Sequence, residues 1–157
     1  MNVWMLFCLG TVLCWGAYGP TLHAGNAGFG DADKANNSYR AMLCVGAAYF
    51  LVAVIIPLII LASKGSLGGF NIKGTTIATA AGCLGALGAT CIIWSFKNGG
   101  VPITVMALVF GAAPIVNAVV SVVSHPPKGG LASLDFRLFV GVALVAVGGY
   151  LVMAFKP

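Results

Sequence analysis

The chain has 157 residues, of which 60% are hydrophobic and only 7% charged, and its net charge is +5. Soluble domains are about 25% charged, so this composition excludes an ordinary soluble domain. The eight basic and three acidic residues all lie outside five apolar segments. Because a charge in hydrocarbon costs a few kcal/mol or more, this distribution predicts an integral membrane protein whose charges mark where it leaves the bilayer.

The apolar segments predict five membrane spans, at 3–22, 41–62, 75–96, 102–123 and 138–155. Each is close to the ~20 residues that a helix needs to cross about 30 Å of hydrocarbon. We therefore expect an all-α, polytopic membrane protein with a bundle of five transmembrane helices in one membrane domain, 1–157. We expect it to be a multi-pass protein of the inner or plasma membrane. The connection at 24–39 is rich in Gly, Asn and Asp, and it is predicted to be an exposed loop.

The loop charges give no orientation under the positive-inside rule. Five spans place the two termini on opposite sides of the membrane. One side then holds Lys64, Lys73, Lys128 and Arg137, and the other holds Lys34, Arg40, Lys97 and Lys156. Either another feature, such as the long first loop, sets a single orientation, or copies of the chain insert both ways. The scattered positive charges suit anionic lipid headgroups, and no nucleic acid partner is expected.

The predicted spans contain no Asp, Glu, Lys, Arg or His. Intramembrane proton relays and acid–base enzymes need such groups, so we predict neither a carboxylate relay nor an enzyme, and no catalytic residue. The five cysteines lie within apolar segments and show neither zinc-ligand spacing nor a disulfide framework. His23 and His125 are expected at opposite membrane faces. We therefore predict no metal site and no cofactor.

Uncharged polar and aromatic residues mark one face of the first span. Thr11, Trp15 and Tyr18 recur there at three- and four-residue spacing. Trp15 is predicted to lie too deep for a simple interfacial position, and a buried indole N–H needs a hydrogen-bond partner. That partner is either a ligand in a cavity or a neighbouring helix.

A second candidate face lies on the fourth span, where Phe110, Pro114 and Asn117 are aligned. Pro114 has no N–H to donate to the carbonyl of Phe110, which leaves an acceptor within the membrane. With the Asn117 amide this carbonyl is a candidate uncharged ligand site, although an Asn can also link two helices. Thr79 of the third span adds a hydroxyl.

Two further features concern helix shape and packing. The third span repeats small residues at Ala78, Gly82 and Ala86, which indicates close helix packing within the chain or in a dimer. Pro57 is predicted to kink the second span.

The order of several short motifs resembles one EamA-type repeat of the drug/metabolite transporter superfamily. The matching features are Trp15-Gly16, Arg40 at the start of the second span, Ile93-Trp94-Ser95-Phe96, Pro114, and the Gly-rich last span from Gly141 to Gly149. The family commonly joins two inverted repeats, so the resemblance implies that this single repeat works with a partner. Two features depart from the family. Ser124-His125-Pro126-Pro127-Lys128 replaces its frequent Glu, and the first span lacks the carboxylate of small multidrug-resistance relatives.

Together with the uncharged spans, this resemblance implies a membrane transporter of a small neutral or amphiphilic metabolite, acting by alternating access as a dimer of five-helix halves. The partner is expected to be an antiparallel copy of the chain or a similar half-size protein. The alternative is a non-transporting membrane interaction or accessory subunit. The predicted substrate-binding residues are Thr11, Trp15, Tyr18, Thr79, Phe110, Pro114 and Asn117.

Overall fold

A computed structural model describes residues 2–130 and 133–155; Lys156 of the charge count lies outside these ranges. Of the described residues, 82% are helical and none lies in a strand. Its helices are α1 (Val3–Gly28), α2 (Asn37–Phe50), α3 (Ile56–Ser63), α4 (Ile72–Lys97), α5 (Pro102–Ser124) and α6 (Phe136–Ala154). A short 3₁₀ helix (Lys34–Asn36) precedes α2, and a π-helical segment (Leu51–Ile55) joins α2 to α3.

Five helical segments among the described residues are long and apolar enough to cross a membrane, namely Val3–Gly28, Lys34–Ser63, Ile72–Lys97, Pro102–Ser124 and Phe136–Ala154. The all-helical class and the number of candidate spans are thus confirmed by length and composition. Both properties are consistent with a multi-pass membrane protein.

The first connection is shorter than the loop predicted at 24–39. Helix α1 continues to Gly28, and Asn37 and Ser38 are buried at the start of α2. The Asn37 side chain donates to the carbonyl of Gly30 at 2.7 Å, and Arg40 donates to Asn37 Oδ1 at 2.7 Å. The first bond satisfies the carbonyl of Gly30, and the second orients the Asn37 amide that makes it. Helix α1 also continues beyond the predicted end of the first span at residue 22, so His23 lies within the helix.

Pro57 changes the hydrogen bonding of the second span. It lacks the N–H that would donate to the carbonyl four residues earlier. Immediately before it, the N–H of Ile56 donates to the carbonyl of Leu51, five residues back. A π-helical segment over Leu51–Ile55 therefore precedes the proline, and the kink expected at Pro57 stays a prediction.

Side-chain caps and glycines fix several helix ends. Asn71 Oδ1 accepts a hydrogen bond from the N–H of Gly74 at 2.8 Å at the start of α4. Helix α4 ends at Lys97, and Gly99 in the turn that follows has a φ of +89°, which glycine adopts without strain. Asp135 Oδ1 accepts from the N–H of Arg137 at 2.9 Å at the start of α6.

The chain divides into two compact units. The first contains residues 1–20 and 100–157, and the second contains residues 21–99. The first junction follows Pro20, a helix breaker within α1, and the second lies at the Gly99-Gly100 turn.

In the first unit, α5 and α6 pack closely at two glycines. A Cβ added to Gly111 would lie 3.0 Å from the Cα of Gly149. The absence of side chains at both positions lets the two helix backbones approach each other. Met106 of α5 is buried and packs against Gly19 of α1.

The buried residues of the second unit come from the end of α1, the start of α2 and the end of α4. They are Leu22, Asn37, Ser38, Ala41, Ile92, Ile93 and Phe96. The small-residue pattern of α4 lies outside this core. Positions Gly82, Gly85 and Gly88 have no atom within 4 Å of an added Cβ. Within the second unit, these three glycines are therefore not at a close helix contact.

Candidate functional site

An aromatic cluster in the first unit joins residues of α1 and α5. The ring centroids of Trp15 and Phe110 lie 6.3 Å apart, and those of Trp15 and Tyr18 lie 6.5 Å apart. Both distances are within the range of favourable aromatic pairs. The structure thus brings together three of the predicted site residues, which the sequence placed on two separate spans.

Gly19 and Met106 position this cluster. An added Cβ at Gly19 would overlap the Cγ of Met106, so the methionine occupies the space that a side chain would take. Gly19 is one residue after Tyr18, and Met106 is one helical turn before Phe110. This contact holds α1 and α5 together beside the aromatic rings.

The rings of the cluster remain accessible. Trp15 is 46% exposed and Phe110 is 37% exposed, whereas Tyr18 is half-buried. A flat apolar group can therefore stack on the exposed parts of these rings. Tyr18 and the Trp15 indole also carry hydrogen-bonding groups.

The remaining predicted residues are placed differently. Thr11 uses its hydroxyl within α1, where it donates to the carbonyl of Phe7 at 3.0 Å. Pro114 and Asn117 lie exposed on α5, one and two turns beyond Phe110. Thr79 lies exposed on α4, which belongs to the second unit.

The chemistry available at the cluster is uncharged. The aromatic faces offer stacking, and Pro114 has no N–H with which to engage the Phe110 carbonyl. Among the described residues, no group of three or more His, Cys, Asp or Glu side chains could hold a metal ion. The five cysteines are free thiols.

The sequence pattern missed three buried polar atoms. His23 Nδ1 and Asn26 Oδ1 in the second unit, and Thr104 Oγ1 in the first, have no hydrogen-bond partner within residues 2–130 and 133–155. The His23 ring stands edge-on to Phe96, with centroids 5.3 Å apart. Residues three apart on a helix share a face, so the spacing of His23 and Asn26 could have indicated that they lie together. The predicted first span ended at residue 22, before either residue.

Electrostatic interactions concentrate in the connection before α2. Asp33 accepts two hydrogen bonds from the Asn36 amide, at 2.9 and 3.1 Å, and it also pairs with the Arg40 guanidinium. The Asn36 hydrogen bonds, followed by those of Arg40, lower the pKa of Asp33 below its ordinary value of 3.8. This carboxylate therefore stays ionised to a lower pH than an ordinary Asp, and it accepts hydrogen bonds from Asn36 and Arg40.

The helical fold and the five candidate spans are those of a helical, multi-pass membrane protein. No protein-family model, curated protein or solved structure matches this chain.

Proposed function

We propose that the chain is one half of a membrane transporter for a small neutral or amphiphilic metabolite. The observation that carries the proposal is the partly exposed aromatic cluster of Trp15, Tyr18 and Phe110. Ligand sites in membrane transporters lie within the helix bundle and combine apolar surfaces with a few polar groups. The order of motifs that resembles an EamA-type repeat supports the same function.

The chemistry of the cluster limits the substrate class. A charged substrate would need a compensating charge in a low-dielectric setting, and no charged side chain lies among the cluster residues. A neutral molecule needs only an apolar surface and a few hydrogen bonds. Trp15 and Tyr18 would stack on such a molecule, and Asn117 with the Phe110 carbonyl would supply hydrogen bonds.

Two features of the chain support a dimer of five-helix halves. Transporters with inverted repeats bind substrate where two repeats meet, and this chain resembles one repeat. Helix α4 leaves open space beside Gly82, Gly85 and Gly88. Small residues of this kind permit close approach of another helix in lipid, so α4 is suited to packing against a second five-helix half. We propose an antiparallel copy of the chain or a similar half-size protein as that second half.

The experiment is a ligand screen followed by transport into liposomes. Neutral metabolites are first ranked by thermal stabilisation of the purified protein, and the best one is then used for uptake. Trp15→Ala and Asn117→Ala should each abolish uptake while leaving the dimer intact. Trp4→Ala is the matched control, because Trp4 lies on the same helix, is 61% exposed and is not part of the cluster.

Two results would contradict this proposal. Full uptake by both Trp15→Ala and Asn117→Ala would refute the assignment of the site. If no metabolite stabilises the wild-type chain and it co-purifies with a different membrane protein, the accessory-subunit alternative becomes the better explanation.

A further inference from the structure

A lysine and two aromatic rings form a cluster at the end of α4. The Lys97 ammonium lies 4.8 Å from the ring centroid of Trp94 and 5.0 Å from that of Tyr39. The two rings meet edge to face, with centroids 5.9 Å apart. All three residues belong to the second unit. The charge of Lys97 is therefore held in place by two cation–π contacts.

Lys97 differs from the other cations near this end of the unit. Lys34 pairs with Asp31 at 3.6 Å, and Arg40 pairs with Asp33. Among the described residues, no carboxylate lies within 4.0 Å of Lys97. The Lys97 ammonium has three N–H donors, and its contacts with two ring faces leave an N–H available to donate to an anionic acceptor.

The length of α4 places this cluster near the membrane surface. Lys73 and Lys97 are separated by about 36 Å along the helix at 1.5 Å per residue. This distance exceeds the ~30 Å of hydrocarbon, so both lysines reach the headgroup regions when α4 spans the bilayer. Trp and Tyr side chains favour the same depth, because each has an apolar ring and a polar tip.

We propose that Lys97, Trp94 and Tyr39 form a binding site for the phosphate of an anionic phospholipid. The Lys97 ammonium supplies the charge, and the Trp94 indole N–H and the Tyr39 hydroxyl supply hydrogen-bond donors. The rings are accessible to such a ligand, since Tyr39 is 47% exposed and Trp94 is 40% exposed. A lipid is favoured over a soluble anion because the apolar parts of these rings lie beside its acyl chains at this depth. The proposal does not depend on transport activity.

The test measures lipid binding to the purified full-length protein in detergent. Phosphatidylglycerol and phosphatidylcholine with identical acyl chains are added in turn, and bound lipids are counted by native mass spectrometry. We expect the wild-type chain to prefer phosphatidylglycerol. Lys97→Gln should weaken phosphatidylglycerol binding about fivefold, and Lys97→Arg should retain it. Lys73→Gln is the matched control, because it removes one charge from the opposite end of the same helix.

Several results would overturn the proposal. Equal binding of both lipids by the wild-type chain would show that the site does not select an anionic headgroup. An equal loss in Lys73→Gln and Lys97→Gln would show that only net charge matters. Inorganic phosphate that displaces the lipid at constant ionic strength would indicate a soluble anion as the ligand. If Lys97→Gln does not fold, Tyr39→Leu keeps the charge and removes one ring. Unchanged lipid preference in that variant would also refute the site.

Discussion

Replacing Gly149 with alanine should separate α5 from α6. An added Cβ at this position would lie 3.1 Å from the Cα of Gly111 and 3.2 Å from the carbonyl oxygen of Ala107. Favourable contacts between carbon atoms begin near 3.5 Å, so both helix backbones must move apart by several tenths of an ångström. The neighbouring Gly148 has no atom within 4 Å of an added Cβ, which makes Gly148→Ala the matched control.

The comparison isolates the cost of the steric overlap. Alanine is favoured over glycine within a helix by about 0.5–1 kcal/mol, and this gain applies at both positions. Overpacking a well-packed contact costs about 1–3 kcal/mol. Gly149→Ala should therefore be less stable than Gly148→Ala by about 1–3 kcal/mol. A difference of this size changes the ratio of folded to unfolded protein about 5- to 150-fold.

Unfolding in mixed micelles with increasing dodecyl sulfate measures this difference. Tryptophan fluorescence follows the transition, because Trp4 and Trp15 both lie in the unit that contains α5 and α6. The double variant Gly111→Ala/Gly149→Ala should lose less stability than the sum of its two single variants. Once the first methyl group has separated the helices, the second meets a wider gap.

Equal stability of Gly149→Ala and Gly148→Ala would refute this reasoning. It would mean that α5 and α6 do not approach each other through their glycines. Strictly additive losses would instead show that the two methyl groups act at separate contacts.

Two other predictions concern the ends of α4 and α2. Asn71→Ala should lower stability by about 1 kcal/mol in the same unfolding assay, because the Gly74 N–H loses its hydrogen-bond acceptor. Asn71→Asp should retain this hydrogen bond. Equal stability of the alanine and aspartate variants would contradict the capping role. The pKa of Asp33 is lowered in the folded chain, so the ionised carboxylate stabilises the folded state at pH values above 3.8. This stabilisation is lost as the pH falls below 3.8 through the lowered pKa. Amide hydrogen exchange, corrected for the intrinsic effect of pH, should therefore show loss of protection over residues 30–40 in acid. Asp33→Asn should remove this pH dependence, and an unchanged acid transition in that variant would contradict the assignment.

Much of the fold could be predicted from the sequence, because the cost of placing a charge in hydrocarbon acts on each segment separately. The positions of Lys73 and Lys97 alone bracket α4 to within one residue at either end. The first connection was predicted less well. Its Gly, Asn and Asp residues are typical of loops, but Asn37 and Arg40 use their side chains to bring the chain into α2 early. Such bonds depend on a backbone geometry that composition does not specify.

The candidate site was predicted in part. Helical spacing on single spans indicated Trp15 with Tyr18 and Phe110 with Pro114. The spacing could not show that Trp15 meets Phe110, because that contact depends on how Met106 packs against Gly19. Thr11 has the expected spacing, yet its hydroxyl bonds to its own helix. The buried atoms of His23 and Asn26 were missed because α1 extends beyond the predicted end of the span.

The sequence by itself determined the class of protein, since hydration of charges and apolar burial in lipid depend on local composition. Only the tertiary structure decided which small residues form a helix contact. Gly82, Gly85 and Gly88 of α4 have the more regular spacing, but Gly111 and Gly149 are the glycines that meet. Within a membrane, the hydrophobic effect does not distinguish one apolar helix face from another. The choice between such faces depends on shape complementarity, and that is a property of two helices in contact rather than of either sequence alone.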